Sequence, residues 1–465
     1  GKFEGWGTSL CWWAHRVGYS EILCEKAAEL FFSDKGLGLN IMRYNIGGGD
    51  DPLHKHIIRT DSKIPGWIDY NCVTKEKKWN YEADKNQLAV LKKAYEAAGD
   101  EAYVEVFSNS PPYFMTLSGC TSGSENGLTD NLKAECISDF AEYLADVSNY
   151  IENELNIKIK SVSPMNEPDT DYWKLNSPKQ EGCHFSPGKM QSDVICAVRR
   201  AFDNKGLGHI IVAASDETST ERQINSYNMY SDDAKKAIGR ISTHTYITDK
   251  FDELGKLREK EKFNLWMSEV DGAGVLGEEA GEMSAALWFS KKIISDINAL
   301  SPSAWVMWLV IDYHKSNNGF DGNIDNCNYD KNSGFWGLGH CEHDEKEYEL
   351  TMKYYAFGQF TKFIKKGMNL LHIDDNCLGA FDYKKNRFVL VCVNENKNYK
   401  KLDFDFSDFC LSKSSVNTVV TCIKDNEKKL WSEENAGRLS ENILCTSLEP
   451  YSITTFIIEG ISIEN

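Results

Sequence analysis

Over the first three-quarters of the chain, short β-branched and aromatic runs alternate with longer stretches of helical period. The runs predict strands at Gly5–Ser9, Asn40–Asn45, Ala102–Ser108, Lys160–Pro164, His209–Ala214, Arg240–Thr245, Asn264–Ser268 and Ala304–Val310. Between them, apolar positions three and four apart predict amphipathic helices at Ser20–Phe32, Ala83–Ala98, Lys133–Leu155, Pro187–Lys205, Glu278–Leu300 and Lys346–Phe363. Eight strands parted by helical or loop segments are the count of a (β/α)8 TIM barrel. Beyond about residue 368 the pattern changes. Leu370–Ile373, Leu378–Asp382, Arg387–Asn394, Leu402–Phe406, Val416–Ile423 and Ser452–Ile458 are short strands separated by Lys/Asn/Asp turns, which reads as a β-sandwich. The expected organisation is therefore an α/β barrel over residues 1–367 and a β-sandwich side domain over 368–465. No low-complexity linker or internal repeat separates them.

In a barrel of this kind, functional groups gather at the C-terminal ends of the strands, where the βα loops form one mouth. Applied here, that rule gathers Trp6–Ser9, Arg43–Ile46, Ser108–Pro112, Asn166-Glu167, Ser215–Glu217, His244 with Tyr246, Glu269, and Trp308 on one rim. Two carboxylates stand out. Glu167 ends an apolar-alternating run and is followed by Pro168; Glu269 ends another run about a hundred residues later. Either alone reads as a solvated loop residue. Together they are what a retaining glycosidase needs, one to protonate the leaving oxygen and one to attack the sugar carbon. Glu167 is the expected acid/base, with Pro168 restricting it to extended backbone angles and Asn166 in reach of a sugar hydroxyl. Glu269 is the expected nucleophile, kept ionised by Arg43 and hydrogen-bonded by Tyr246. The plainer reading of Arg43 is an ordinary ion pair at a barrel end.

Composition narrows the partners. At 465 residues, with 41% hydrophobic and 26% charged positions, the chain can bury a large core. A net charge of −18 argues against nucleic acid or an anionic membrane and favours a neutral oligosaccharide or polysaccharide. The 12 Trp and 21 Tyr suit stacking on sugar faces as well as a core. Fourteen cysteines stand singly, with no CxxC pair, as buried thiols do in a reducing compartment. A cytoplasmic location is expected, or secretion if an export signal precedes Gly1. The longest apolar run, Ala304–Ile311, is far too short to span a bilayer.

Other motifs point elsewhere. Asp321–Asp325 opens like a calcium loop but has Asn326 and Asn332 where that loop needs Gly and Glu. His54-Lys55-His56 and His340-Cys341-Glu342-His343 carry metal-binding residue types, each without a second half in the sequence. Gly47-Gly48-Gly49 lacks phosphate-loop spacing and suits a backbone passing close to a sugar. Asp216-Glu217 offers rival carboxylates, with Asp216 better suited to supporting the site.

The set of motifs resembles glycoside hydrolase family 30, and within it the branch containing endo-β-1,6-galactanases. The resemblance rests on Gly5–Ser9 with Trp12-Trp13-Ala14, on Met42–Gly49, on Ser108–Met115, on Pro164–Pro168 and on Ser268-Glu269, and extends to the C-terminal sandwich. Asn166-Glu167-Pro168 is widely shared; the set in this order is specific. The family's side domain usually takes in an N-terminal strand, whereas this chain starts a few residues before Trp6. The resemblance implies a covalent glycosyl-enzyme, no cofactor and no catalytic metal. It further implies that Trp6, Trp13, Asp51, His244 and Trp308 line the subsite of the non-reducing sugar, with core packing the alternative for each Trp. Cleavage of β-1,6-linked galactan is the expected function. An exo-β-glycosidase on a glucoside, xyloside or fucoside, and a non-catalytic carbohydrate-binding homologue, are the alternatives. A blocking wall, built from the Ser118–Thr129 or Asn317–Gly339 loops, would favour exo action. Oligomeric state is left open.

Overall fold

The computed structural model describes the chain except residues 1, 50–55, 248, 321–322, 326–334, 412–413 and 464–465; side chains of residues 60, 318–320, 323–325 and 463 are also outside the description. Asp51 and most of the calcium-like and first histidine motifs therefore lie outside the described residues.

Eight strands close into a parallel barrel in sequence order: β1 Gly5–Ser9, β2 Ile41–Asn45, β3 Tyr103–Phe107, β4 Ile159–Ser163, β5 Ile211–Ser219, β6 Ile238–Ile247, β7 Leu265–Glu269 and β8 Ala304–Met307. β8 pairs with β1 through Gly5–Ala304 to Thr8–Met307, so no edge is left open. β5 and β6 run longer than their apolar patterns because both carry polar residues into the mouth. Their shared register shifts between Ser215 and Glu217 and again between Glu217 and Ser219, the kind of bulge that re-aims side chains beside a site.

Around the barrel, Ile137–Asn153 buries Phe140, Leu144, Val147 and Ile151 at three- and four-residue spacing. Ser20, Ser219 and Ser231 cap helix starts, each side chain accepting a backbone N–H three residues on. Three helices carry little periodic signal: Thr220–Met229, Asp232–Ala237 and Phe251–Glu261, the last burying only Leu254. The helix expected over Lys346–Phe363 is confined to Met352–Thr361. Ahead of it, Glu347–Leu350 alternates exposed and covered residues with period two and pairs antiparallel to Gly339–Glu342.

The C-terminal part is a two-sheet sandwich. A six-stranded antiparallel sheet takes the order Asn369–Asp374, Cys377–Asp382, Arg387–Asn394, Ser452–Glu459, Ser415–Lys424, Glu427–Glu434. A three-stranded sheet of Lys400–Asp405, Ile443–Leu448 and Gly437–Ser440 covers one of its faces. Along Arg387–Asn394 the alternation is visible residue by residue. Phe388, Leu390 and Cys392 join the core between the sheets, while Val389, Val391 and Val393 join the barrel core. The other face rests on helices Met283–Leu300 and Met352–Thr361. Gln359 ties that contact, donating to Thr421 Oγ1 at 2.8 Å and accepting from Thr455 Oγ1 at 2.6 Å. Phe3 and Gly367–Met368 exchange backbone hydrogen bonds of 2.9 and 2.7 Å where the chain leaves the barrel. No described helix is long and apolar enough to cross a membrane.

Candidate active site

The mouth of the barrel is organised around one fully buried guanidinium. Arg43, at the end of β2, donates from Nη1 to Glu269 Oε2 at 3.0 Å, from Nε to Glu105 Oε1 at 3.2 Å, and from Nη2 to Asp216 Oδ2 at 2.5 Å. Burial works against its charge, but Asp216, Glu269 and Glu105 outweigh burial and raise its pKa. Beneath it a second buried arginine, Arg240, pairs with Glu105 Oε2 and donates to Ser161 Oγ at 3.2 Å. Its guanidinium lies 3.5 Å from the Trp266 ring centroid. Glu105 thus joins the two cations across the barrel interior. Asp216 takes Arg43 above one oxygen and Ser268 Oγ at the other, and its carboxyl is held well below the usual range because Arg43 and His244 overcome the cost of burial.

Glu167 and Glu269 sit above this layer. One oxygen of each, with a nitrogen of His244, lie within 4.8 Å of one another. That closeness is compatible with the shorter separation of glycosidase carboxyl groups, about 5–5.5 Å in retaining enzymes. His244 Nδ1 is 3.1 Å from Glu167 Oε1 and 3.7 Å from Glu269 Oε1, and Nε2 is 3.2 Å from Asp216 Oδ1. Burial disfavours the imidazolium, yet Glu269, Asp216 and Glu167 outweigh it and raise its pKa to about 10. Glu167 also accepts from Thr218 Oγ1 at 2.8 Å and from the Tyr172 hydroxyl. Burial pushes its pKa up, but His244 and these hydroxyls bring it below the ordinary value. Glu269 moves the other way: burial raises it, against the pull of His244 and Arg43. The Tyr246 hydroxyl donates to Glu269 Oε1 at 2.9 Å.

Glu167 has φ +47°, the left-handed region, and not the extended backbone expected ahead of Pro168. The turn is held from outside: the Glu167 N–H donates to Asp216 O at 2.8 Å, and its carbonyl accepts from Trp173 Nε1 at 2.9 Å and Thr170 Oγ1 at 2.9 Å. Asp216, with φ +67°, is the second left-handed residue of this contact. Strain gathered at two touching residues is a mark of functional sites.

The carboxylates open into a cavity of about 430 Å³, whose lining includes Trp12, Trp308 and Trp336, Asn166, Thr218, Tyr246, Asp271, and Tyr172, Trp173, Lys179 and Gln180 from the loop after β4. Trp12 stands edge-on to Trp308 with centroids 5.2 Å apart. Arg59 lies 4.1 Å over the Trp12 ring and is held by Asp61 through bonds of 2.7 and 2.9 Å. Lys179 is 5.0 Å from the Trp336 centroid, and burial lowers its pKa. Asn166 Oδ1 is buried without a hydrogen-bond partner among the described residues, an acceptor available to a sugar hydroxyl.

Of the expected residues, Arg43, Asn166, Glu167, His244, Tyr246, Glu269 and Trp308 converge here. Trp6 and Trp13 do not. Trp6 packs against Phe3, Phe357 and Phe360 and donates to Ile364 O at 2.7 Å, while Trp13 donates to Ser9 O at 2.9 Å and packs on Phe31. Both are core; of the adjacent Trp12 and Trp13 it is Trp12 that reaches the cavity. Gly47–Gly49 also serve differently than expected. A Cβ on Gly47 would meet Pro65 O at 2.6 Å and one on Gly48 would meet Pro111 O at 2.5 Å, so this run admits neighbouring loops. The 118–129 loop stands behind the cavity-lining segment, with Ser122 Oγ donating to Lys174 O at 2.9 Å, while Trp336 of the 317–339 loop lines the cavity itself. Glu217, buried and bonded by Ser226, Gln191 and Ser215, lies outside the cavity lining and has its pKa pushed up to about 7 by burial. Glu167, His244 and Glu269 would also suit a metal ion by spacing, but Arg43 already supplies the fixed cation on Glu269.

The family model for O-glycosyl hydrolase family 30 matches residues 2–320. The chain belongs to this family. As a family 30 member it is a glycoside hydrolase with a (β/α)8 barrel and an additional β-sheet domain. It is 27% identical to an endo-β-1,6-galactanase from Hypocrea rufa over all of this chain and 93% of that protein. It is also 27% identical to an exo-β-1,6-galactobiohydrolase from Bifidobacterium longum subsp. longum, over 67% of this chain but only 26% of that longer protein. In fold it is similar to a conserved exported protein from Bacteroides fragilis, with TM-score 0.77, 16% identity and 98% of both chains covered.

Proposed function

We propose that the chain is a retaining hydrolase of β-linked galactosides, acting on β-1,6-galactan or its oligosaccharides. The observation that carries the reading is the Glu167–Glu269 pair, whose nearest oxygens fall within 4.8 Å at the floor of an aromatic-lined cavity. Glu269 attacks the anomeric carbon. Its fixed partner, the Arg43 guanidinium, can only donate, so it favours the carboxylate that the attack requires. Glu167 protonates the leaving oxygen and then takes a proton from water. Its partners differ in kind: the hydroxyls of Tyr172 and Thr218 accept as well as donate, and His244 Nδ1 faces Oε1 at 3.1 Å. Asn166 holds a sugar hydroxyl, Tyr246 orients Glu269, and Trp308 with Trp12 gives the apolar face. The barrel over 1–367 carries this chemistry and 368–465 buttresses it.

The names of both relatives, an endo-β-1,6-galactanase and an exo-β-1,6-galactobiohydrolase, specify the β-1,6 linkage, which supports it here, and they differ in endo or exo action. Thirteen described cysteines are free thiols, which suits a reducing compartment and the trimming of imported oligosaccharides. The test is digestion of β-1,6-galactan and of a panel of β-linked oligosaccharides with products resolved by size over time. A ladder of galacto-oligomers identifies endo action, and a single short product identifies exo action. Release from glucan, xylan or fucoside substrates alone overturns the galactoside reading.

A further inference from the structure

Around Cys341 the fold supplies what the local sequence lacks, a donor from another strand. Ile311–Phe320 runs parallel to Gly339–Glu342 with His314 opposite Cys341 in register. His343 follows at once, its N–H donating to Lys315 O at 2.8 Å. All three side chains are buried, and one donor atom from each of His314, Cys341 and His343 lies within 4.8 Å of the others. His314 Nδ1 and His343 Nε2 are 2.9 Å apart.

We infer that His314, Cys341 and His343 bind a zinc-class transition-metal ion, at a site separate from the sugar cavity. Two imidazole nitrogens and one sulfur are borderline-to-soft ligands that select zinc over magnesium or calcium. With metal–nitrogen bonds of about 2.0–2.1 Å and metal–sulfur bonds of about 2.3 Å, donors of one ion stand roughly 3–4 Å apart. The trio needs only small side-chain movements to reach that spacing. The Cys341 S–H bond breaks as the sulfur–metal bond forms, and the proton leaves to solvent. His343 has the kind of outer contact that orients a metal-bound imidazole. His343 Nδ1 is 3.0 Å from the Tyr19 hydroxyl, which in turn accepts from Lys346 Nζ at 2.7 Å. His314 Nε2 has no hydrogen-bond partner among the described residues, and the nearby Asp61 Oδ2, at 3.9 Å, is the carboxylate it would turn to. The same strand carries Asp312, which accepts the N–H groups of Trp336 and Gly337 at 2.5 and 3.1 Å. The ion therefore clips the base of the excursion that brings Trp336 to the cavity.

Purified chain equilibrated with zinc and dialysed against metal-free buffer should retain one zinc per chain by mass spectrometry. Glu269→Gln should retain the same amount, and Cys341→Ser and His314→Gln should retain none. Cobalt(II) in the wild type should give a sulfur-to-cobalt charge-transfer band, a readout that needs no variant to fold. Failure of the wild type to hold zinc, equal zinc in Cys341→Ser, or a cobalt spectrum without that band overturns the site in favour of a hydrogen-bonded His–His pair. Zinc lost in Glu269→Gln but kept in Cys341→Ser assigns the ion to the sugar site and overturns it as well.

Discussion

At the barrel mouth, Arg43, Arg240, Glu105, Asp216, His244 and Glu269 are all buried, and each is held by at least one opposite charge. In the sandwich, an equally dry core is made of Phe381, Phe388, Leu390, Phe406, Leu444, Phe456 and Ile458. The sandwich core gains stability from each apolar side chain nearly independently, and a lost methylene costs what its contacts were worth. The mouth gains little net stability from its ion pairs, because taking the charges out of water offsets their attraction. Its members depend on one another, and what they provide is fixed charge at fixed distance. Substitution should therefore separate the two regions cleanly.

The largest effect belongs to Glu269→Gln. It keeps the shape and most hydrogen bonds, so the melting temperature should hardly move while kcat falls by roughly 10³-fold or more; substantial residual turnover removes Glu269 as nucleophile. Glu167→Ala should cost about 10²–10⁴-fold on substrates with poor leaving groups and far less on activated aryl glycosides. Equal losses on both count against an acid role. Arg43→Met leaves Glu269, Asp216 and Glu105 without their shared cation and should cost about 3–5 kcal/mol in denaturant unfolding, along with activity. In the sandwich, Leu390→Ala should cost about 2–5 kcal/mol by the same measurement, yet leave kcat and KM of the folded enzyme unchanged. A fall in kcat there would mean that the two regions are coupled.

The smallest effect contrasts two neighbours. Glu217 has a folded pKa of about 7, above its unfolded value of about 4.3. The native state thus binds the extra proton between those values, and stability falls as pH rises through that window. Glu217→Gln should flatten that decline in a melting series from pH 5 to 8; an unchanged slope refutes the shift. Asp216 is lowered in the fold, so its contribution is present above the unfolded carboxylate pKa and is lost only as pH falls below it.

The barrel was legible because each strand is an apolar run with clear ends, and the rule that strand ends form the mouth brought Arg43, Glu167, His244, Tyr246 and Glu269 together. The misreadings have physical causes. Trp6 and Trp13 share a motif with Trp12, and only the local backbone path decides which ring faces the cavity. Tyr172, Lys179, Gln180 and Trp336 come from loops that have no periodicity to read. Thr218 carried a usable signal, since it lies two residues beyond Asp216 on the same strand. Glu167 defied the preference of residues before proline because tertiary hydrogen bonds to Asp216 and Trp173 set its backbone. His314 could not be paired with Cys341 from sequence, because their neighbourhood exists only through strand register.

The most direct test of the paired carboxylates is the anomer released first. Hydrolysis of a β-1,6-galacto-oligosaccharide followed by proton NMR should show the β-anomer appearing ahead of mutarotation, since two displacements restore configuration. The α-anomer appearing first would mean a single displacement by water, and would contradict Glu269 as the nucleophile.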